Sequence, residues 1–513
     1  MRKWHALYEI FKFPLQMIVF AVLLCGIGTF LTNTTYGLST LYDNAILTTV
    51  GSVLQKSGSF IWVNFPLYFM ICSVNKRGGS AVTIVSVICG YIAYLVTTMM
   101  VAPNNLVTTA YSSIFGLSST VSSSFAASVT RYPLQTGLIG PLLVSFITLF
   151  AYGLSRKKSE YGFFSFISKE MICVIGTVIL SVLCGVLISV IWPFFIAFIQ
   201  EIVSFISSDT TNPVNMALYG IMDRILTVLN MNALLRQPFW YTIQGGSWMS
   251  LTGSSVVGDV NIWTSQVASL SVTSLSGRFI TPYYILNMFA VPAMLVAVYT
   301  VCTEPIGKRK YRGMLIVMGI ISLLTGSLLP VELTMLLLCP FLLVLHIGLT
   351  GLLFAVLQSF HVYLGYYSAG NYMITALPGT LPEFLSYISN PSLRMTLLMI
   401  LITGLITAVV YFAVTRLYFQ KFAVDLFKTG DLERNTAIVV KGIGGLDNIK
   451  KIYSDFDVLT VVLYDPSKLK PSRFKQLGVV RIMDTRAGFR IPLGSESTMI
   501  KNEIEKQIRS ETR

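Results

Sequence analysis

Residues 314–358 read MLIVMGIISLLTGSLLPVELTMLLLCPFLLVLHIGLTGLLFAVLQ. The run is almost entirely apolar, and at roughly 20 residues per helix it is long enough to cross a bilayer about twice. Gly326-Ser327 followed by Pro330 breaks it midway, and Glu332 is its only acidic residue. A carboxylate at membrane depth costs at least about 2.5 kcal/mol, so it is expected to face a partner or a wet cavity rather than lipid. Helix breaks at that depth are tolerated where they are buried in protein or line such a cavity. Together these features predict a polar site near the middle of a membrane protein. The plainer alternative is a proline kink with Glu332 reaching an interface.

Composition agrees. Of 513 residues, 54% are hydrophobic and 12% charged, with a mean hydropathy of +0.70; soluble domains carry about 25% charged residues. The net charge of +14 does not point to nucleic acid. Its basic residues gather beside apolar runs and in the C-terminal tail, as the positive-inside rule expects. The seven cysteines all precede residue 340 and form no CxxC pair, so neither a disulfide framework nor a zinc site is indicated, and no metal or cofactor is expected. Arg2 and Lys3 precede an apolar run from Phe13 to Leu31, read as a first span rather than a signal peptide.

Along the chain, His5–Lys12 reads as a short interfacial helix. Spans are expected at 13–32, 57–74, 80–101, 136–155, 170–200, 283–302 and 394–419. Asn75-Lys76-Arg77, Arg156-Lys157-Lys158 and Lys308-Arg309-Lys310 alternate as cytoplasmic stops and put the N-terminus inside. Residues 103–135, rich in Ser and Thr, suit an external loop or a cavity wall. Residues 201–280 are only patchily apolar, hold Arg224, Arg236, Trp240 and Trp248, and are expected to be partly re-entrant. Parity requires residues 313–395 to cross an odd number of times, so one apolar half, or the Gly-rich segment 364–382, is not a simple span.

From Thr436 onward the composition is mixed and charged. AIVV (437–440), DVLTVVLYD, VVRIMD and FRIPL predict strands; Asn448–Tyr453, Pro471–Leu477 and Thr498–Ile508 predict helices. The expected fold class is therefore a polytopic α-helical membrane protein, about 8–10 spans with re-entrant segments, plus a small C-terminal α+β domain. The expected domains are 1–424 in the membrane, a linker at 425–435, and 436–513 in the cytoplasm.

Several segments, in order, resemble one family. Phe65-Pro66-Leu67 through Lys76-Arg77-Gly78-Gly79, Tyr219-Gly220 with Arg224, Gln237-Pro238-Phe239-Trp240, Phe289-Ala290-Val291-Pro292-Ala293, Gly326–Leu333, Tyr411-Phe412 through Thr429-Gly430, Gly444-Gly445, Asp447-Asn448-Ile449 and Asp465-Pro466-Ser467 are similar to motifs of the phosphotransferase-system sugar permeases. The match is to the glucose superfamily, an EIIC permease followed by an EIIB domain. The resemblance implies a sugar or another small polar solute as ligand, a multi-pass protein of the bacterial cytoplasmic membrane, a homodimer, and a phosphocarrier domain or regulator as partner.

The departures are as informative. The resemblance implies a sugar site with an Arg, a His pair and two Glu residues. Arg224 keeps the Arg, the His pair falls on Asn232 and Ala233, the first Glu becomes Leu329, and Glu332 survives. Arg224, Asn232 and Glu332 are therefore the expected substrate-binding residues. The family's phosphorylated Cys falls on Asp455, and the Arg residues after it on Val458 and Thr460; no Cys or His follows residue 361. Phosphoryl relay needs a nucleophile in electropositive surroundings, which Asp455 and Asp457 do not build; a solvated turn before a strand is the expected role of both. Trp240 and Tyr241 could face a sugar ring or a membrane interface. His346 and His361 are expected to serve packing or helix interfaces. The expected function is a permease component whose self-phosphorylation is lost. The alternatives are a non-catalytic membrane sensor on the same scaffold and a passive solute facilitator.

Overall fold

The computed structural model describes residues 2–511 except 34–42, 79–80, 108–118, 124–125, 157–166, 251–252, 269–275, 303–304, 367–377, 423–431, 456–457, 478, 480–481, 486–487 and 494–496. The chain divides into two compact units. One is residues 10–301 with 313–423; the other is residues 1–9 and 302–312 with 424–513.

In the first unit, six helices among the described residues are long and apolar enough to span a bilayer: Phe11–Thr32, Ala81–Val101, Lys169–Ser208, Thr281–Val301, Pro340–Ser359 and Pro391–Lys421. A seventh candidate is the pair Ala45–Val63 and Phe65–Asn75, bent by 50°. Pro66 lacks an N–H and its ring crowds the carbonyl four residues back, so the helix breaks at Asn64, whose side chain caps the Phe60 carbonyl at 2.8 Å. The fold is that of a polytopic helical membrane protein.

Some expected boundaries move. His5–Lys12 is no separate element, because Arg2–Thr32 is one helix. The span expected at 57–74 begins at Ala45 and is the kinked pair. Lys169–Ser208 runs 40 residues, about 60 Å, twice the roughly 30 Å hydrocarbon core. Within 103–135, β1 (Ser119–Ser123) and β2 (Ala126–Arg131) form an antiparallel hairpin. The stretch 314–358 becomes three helices, Pro305–Thr325, Leu329–Leu338 and Pro340–Ser359. Gly326, at φ +66°, ends the first in the left-handed region that glycine tolerates. The middle helix has ten residues, about 15 Å, too short to cross. Most of the Gly-rich segment lies outside the described residues.

Residues 201–280 are built from short pieces: Pro213–Val228, Ala233–Tyr241, a hairpin of β3 (Ser247–Met249) and β4 (Ser255–Val257), and Asp259–Ala268. The first piece starts at Asn212, whose side chain accepts from Val214 N, with Pro213 in the first turn. It ends in a Schellman motif: Met231 N–H donates to the Leu226 carbonyl at 2.7 Å and Asn230 N–H to Thr227 at 3.0 Å, with Asn230 at φ +59°.

The second unit holds a four-stranded antiparallel sheet of β5 (Ile449–Asp455), β6 (Val458–Leu463), β7 (Met483–Thr485) and β8 (Gly488–Pro492), in the order β5-β6-β8-β7. Helices Leu432–Ile443 and Ser497–Glu511 complete a core of Val439, Ile443, Leu459, Val461, Phe474, Ile491, Ile500 and Ile504. Two expectations are reversed. AIVV is helical, because Thr436, Val439 and Ile443 are buried at the spacing of one helix face. Asn448–Tyr453 is strand β5 instead of a helix; a bulge between Ile449 and Lys451 interrupts the alternation that marks a strand. The helix also begins at Leu432, inside the stretch expected to be a linker.

Candidate functional site

Helix Pro213–Val228 buries Met216, Tyr219, Gly220, Asp223, Arg224 and Thr227, one face at the helical period. That face meets helix Pro340–Ser359 closely. A Cβ on Gly220 would lie 2.5 Å from the Phe354 ring, and one on Gly351 2.6 Å from Ile221. Small residues at a membrane helix contact permit such approach. His346, Thr350 and Phe354 lie on the buried face of the partner helix, so the contact brings His346 toward Arg224. Glu332 arrives from the first turn of Leu329–Leu338, where the helix dipole favours a carboxylate.

Arg224 Nη1 donates to Glu332 Oε1 at 2.9 Å, with side-chain exposures of 2% and 0%. His346 Nε2 lies 3.2 Å from the same oxygen and its Nδ1 3.0 Å from the Tyr411 hydroxyl. Glu332 Oε2 is buried and meets no donor among the described residues. On its other side Arg224 is paired with Asp223 through both Nε and Nη2. Asp223 also accepts from Arg236 Nε at 2.6 Å and Nη2 at 3.1 Å, and from the Tyr283 hydroxyl at 2.8 Å. Two guanidiniums thus face two carboxylates, which is how charges at this depth are tolerated. The Tyr283 ring flanks both guanidiniums at 5.1 Å, and Trp240 flanks Arg236 at 5.1 Å, contacts that gain strength when desolvated.

The structure brings Arg224 and Glu332 together and leaves Asn232 aside. The helix carrying Arg224 ends before Asn232, which is half-buried at the start of the next one. A shared face on one continuous helix is therefore not formed. Arg236, one turn further on, reaches Asp223 instead. Trp240 is 2% exposed; its indole N–H donates to the Tyr219 hydroxyl at 2.9 Å and its ring carries Arg236, so that face is already occupied. His346 is a member of the polar cluster, beyond the packing role expected of it. His361 sits at φ +53° and ends its helix in a Schellman motif through Val362 N–H and Leu357 O at 3.0 Å. Asp455 is the last residue of β5, paired with Val458, rather than in a turn before a strand; Asp457 lies outside the described residues. Among the described residues no group of three or more His, Cys, Asp or Glu is placed to hold a metal ion.

Asp223, Arg236, Tyr283, His346 and Tyr411 were not among the expected ligand residues. Asp223 carries a readable signal: an acidic residue beside Arg224 in an apolar helix means that Arg224 is not an isolated charge. His346, fourteen residues after Glu332 in an apolar run, carries a weaker one. Nothing in the sequence sets Tyr283 apart from the other tyrosines, and Tyr411, though it opens one of the resembling segments, carries no mark of a site residue.

Among solved structures, the chain is similar to the transporter ChbC, the IIC component from the N,N'-diacetylchitobiose-specific phosphotransferase system. The identity is 14%, with 85% of this chain and 96% of that chain covered and a TM-score of 0.30. At that level the similarity adds nothing to the reading of the site. The family model for the phosphotransferase system EIIC matches residues 8–351, which is most of the chain and includes Arg224, Asn232, Glu332 and His346. This chain belongs to the phosphotransferase-system EIIC family of sugar permeases.

Proposed function

We propose that the chain binds a sugar against Glu332 and moves it across the membrane, and that its own C-terminal domain supplies no phosphoryl group. The observation that carries this reading is the divided Glu332 carboxylate. Oε1 is held by Arg224 and stands beside His346, while Oε2 is buried with no donor among the described residues. Leaving a buried acceptor unpaired costs about 1–3 kcal/mol, and a sugar hydroxyl is the kind of donor that relieves it. Arg224 and Glu332 belong to the proposed substrate site; Asn232 is retained in it only as a half-buried amide at the adjoining helix start.

Residues 436–513 are read as a degenerate EIIB-like module with Asp455 at the phosphocysteine position, its phosphoryl role left to a separate phosphocarrier domain. The basic stops at residues 76–77, 156–158 and 308–310 support a cytoplasmic N-terminus and C-terminal domain. Family resemblance supports a homodimer.

One observation favours a second reading, a membrane sensor built on the permease scaffold. Asp455, Val458 and Thr460 stand where the resemblance puts the phosphorylated Cys and its arginines, so the chain has no evident relay of its own to couple transport to phosphorylation. A passive facilitator is a third reading, with no observation of its own. Ligand-dependent thermal shifts of the purified full chain, across a panel of sugars, test the proposal. Stabilisation by a sugar that is lost in Glu332→Gln, with the variant still folded, supports it. No shift with any sugar removes the permease reading and leaves the sensor.

A further inference from the structure

We propose that His346 is the positioning residue of Glu332: with Arg224 it fixes Oε1, so that Oε2 alone is presented to the ligand. This rests on the reading of Glu332 as the ligand-facing carboxylate. The His pair that the family resemblance puts beside the sugar is absent, at Asn232 and Ala233. Here an imidazole enters from a different helix, Pro340–Ser359, and meets the same carboxylate oxygen as Arg224.

The geometry fixes the role of the ring nitrogen that faces the carboxylate. Glu332 faces a guanidinium at 2.9 Å and is therefore an ionised carboxylate, which only accepts. Nε2, at 3.2 Å from Oε1, must be the donor. Nδ1 lies 3.0 Å from the Tyr411 hydroxyl, which can either donate or accept, so that contact steadies the ring whichever way its proton points. A chain of contacts runs from Tyr411 on the 394–422 helix through His346 to Glu332. It ties three helices to one carboxylate oxygen. His346 and Tyr411 are 2% and 3% exposed, so no bulk water competes for either bond. Arg224 alone would leave Glu332 free to rotate about its terminal torsion, which is soft and two-fold. The second donor, on the same oxygen, removes the choice between Oε1 and Oε2.

Two measurements on the full-length chain in lipid nanodiscs test this. The first is nitrogen-15 NMR of histidine-labelled protein, which has only His5, His346 and His361 to assign. The expected His346 spectrum shows a protonated Nε2 whose signal is displaced in Glu332→Gln; an unprotonated Nε2 overturns the proposal. The second compares sugar affinity in two variants whose amides reach different distances. His346→Gln can put its amide N–H near the Nε2 position and is expected within about threefold of wild type, whereas His346→Asn falls short and is expected to lose about tenfold, the effect of one hydrogen bond. Equal affinities for the two variants overturn it. If no sugar binds wild type, the permease reading fails, and the protonation of Nε2 by itself supports or overturns the hold on Glu332.

Discussion

Arg224 and Glu332, 108 positions apart in the chain, meet at 2.9 Å with neither side chain open to solvent. Asp223, next to Arg224, completes the balance and is the more heavily used of the two carboxylates. It accepts from Arg224, Arg236 and Tyr283, whereas Glu332 accepts from Arg224 and His346. The two acids are therefore unequal. Asp223 uses both oxygens and holds the cluster together, whereas one Glu332 oxygen meets no donor among the described residues.

That inequality gives an order of stabilities. Asp223→Asn leaves Arg236 without a carboxylate and Arg224 with only one, a loss of about 3–5 kcal/mol for breaking a buried ion pair. Glu332→Gln leaves Arg224 on Asp223 and keeps an acceptor oxygen, so its cost is about 1–3 kcal/mol. In thermal unfolding of the full chain in detergent, Asp223→Asn is expected to melt well below Glu332→Gln. The reverse order would show that Glu332, and not Asp223, is the structural hub.

How much of this was legible in the sequence differs by region. The break at Gly326 and the lone Glu332 mark a polar site because membrane burial makes both costly, and that cost is visible in one dimension. The pairing with Arg224 follows from the same cost once two charges are known to lie at depth. What the sequence could not show is the turn at Asn230, which ends the helix before Asn232 and lets Arg236 reach Asp223. A left-handed asparagine leaves no periodic signature. In the C-terminal unit, local β-branched content in AIVV competed with the helical spacing of Thr436, Val439 and Ile443, and packing against the sheet decided for the helix.

The C-terminal domain is expected to take no phosphoryl group. Asp455 ends β5 opposite Val458, and Val458 and Thr460 stand where the resembled motif has arginines. Without that positive charge a phosphoryl group has nothing to balance it. Full chain incubated with a phosphorylated upstream carrier protein and its energy donor should show no phosphopeptide by mass spectrometry at mild pH. A stoichiometric phosphopeptide containing Asp455 would reinstate the domain as a relay.

Residues 432–513 are expected to fold as an isolated fragment, whereas a fragment starting at Gly444 is not. The first helix supplies Val439 and Ile443, both fully buried against Leu459, Val461 and Ile491 of the sheet. Losing two such side chains removes about 1.5–3 kcal/mol each from a domain small enough to be marginal. Far-ultraviolet circular dichroism with urea titration reads the difference. A cooperative transition in the shorter fragment would mean that the sheet and Ser497–Glu511 suffice.

Asn287 joins two irregularities in the membrane unit, and its loss should loosen both. Residues Leu286–Ala290 form a π-helical turn within Thr281–Val301, a rare geometry that leaves backbone groups out of the usual ladder. The Asn287 carbonyl accepts from Ser322 Oγ at 2.7 Å. Its side-chain amide is shared among the carbonyls of Gly326, Pro378 and Gly379 at 3.1–3.3 Å. The Gly326 carbonyl is exposed by the helix break that precedes Glu332, and no lipid group can satisfy it. Asn287→Ala leaves these buried acceptors without that donor, at about 1–3 kcal/mol for each one left unpaired. Ser322→Ala removes a single hydroxyl and should cost about 1 kcal/mol. Hydrogen exchange by mass spectrometry should therefore show faster exchange at residues 326–330 in Asn287→Ala than in Ser322→Ala, with helix Pro213–Val228 protected in both. Unchanged exchange at the break in Asn287→Ala would mean that the turn at Gly326 stands without this amide.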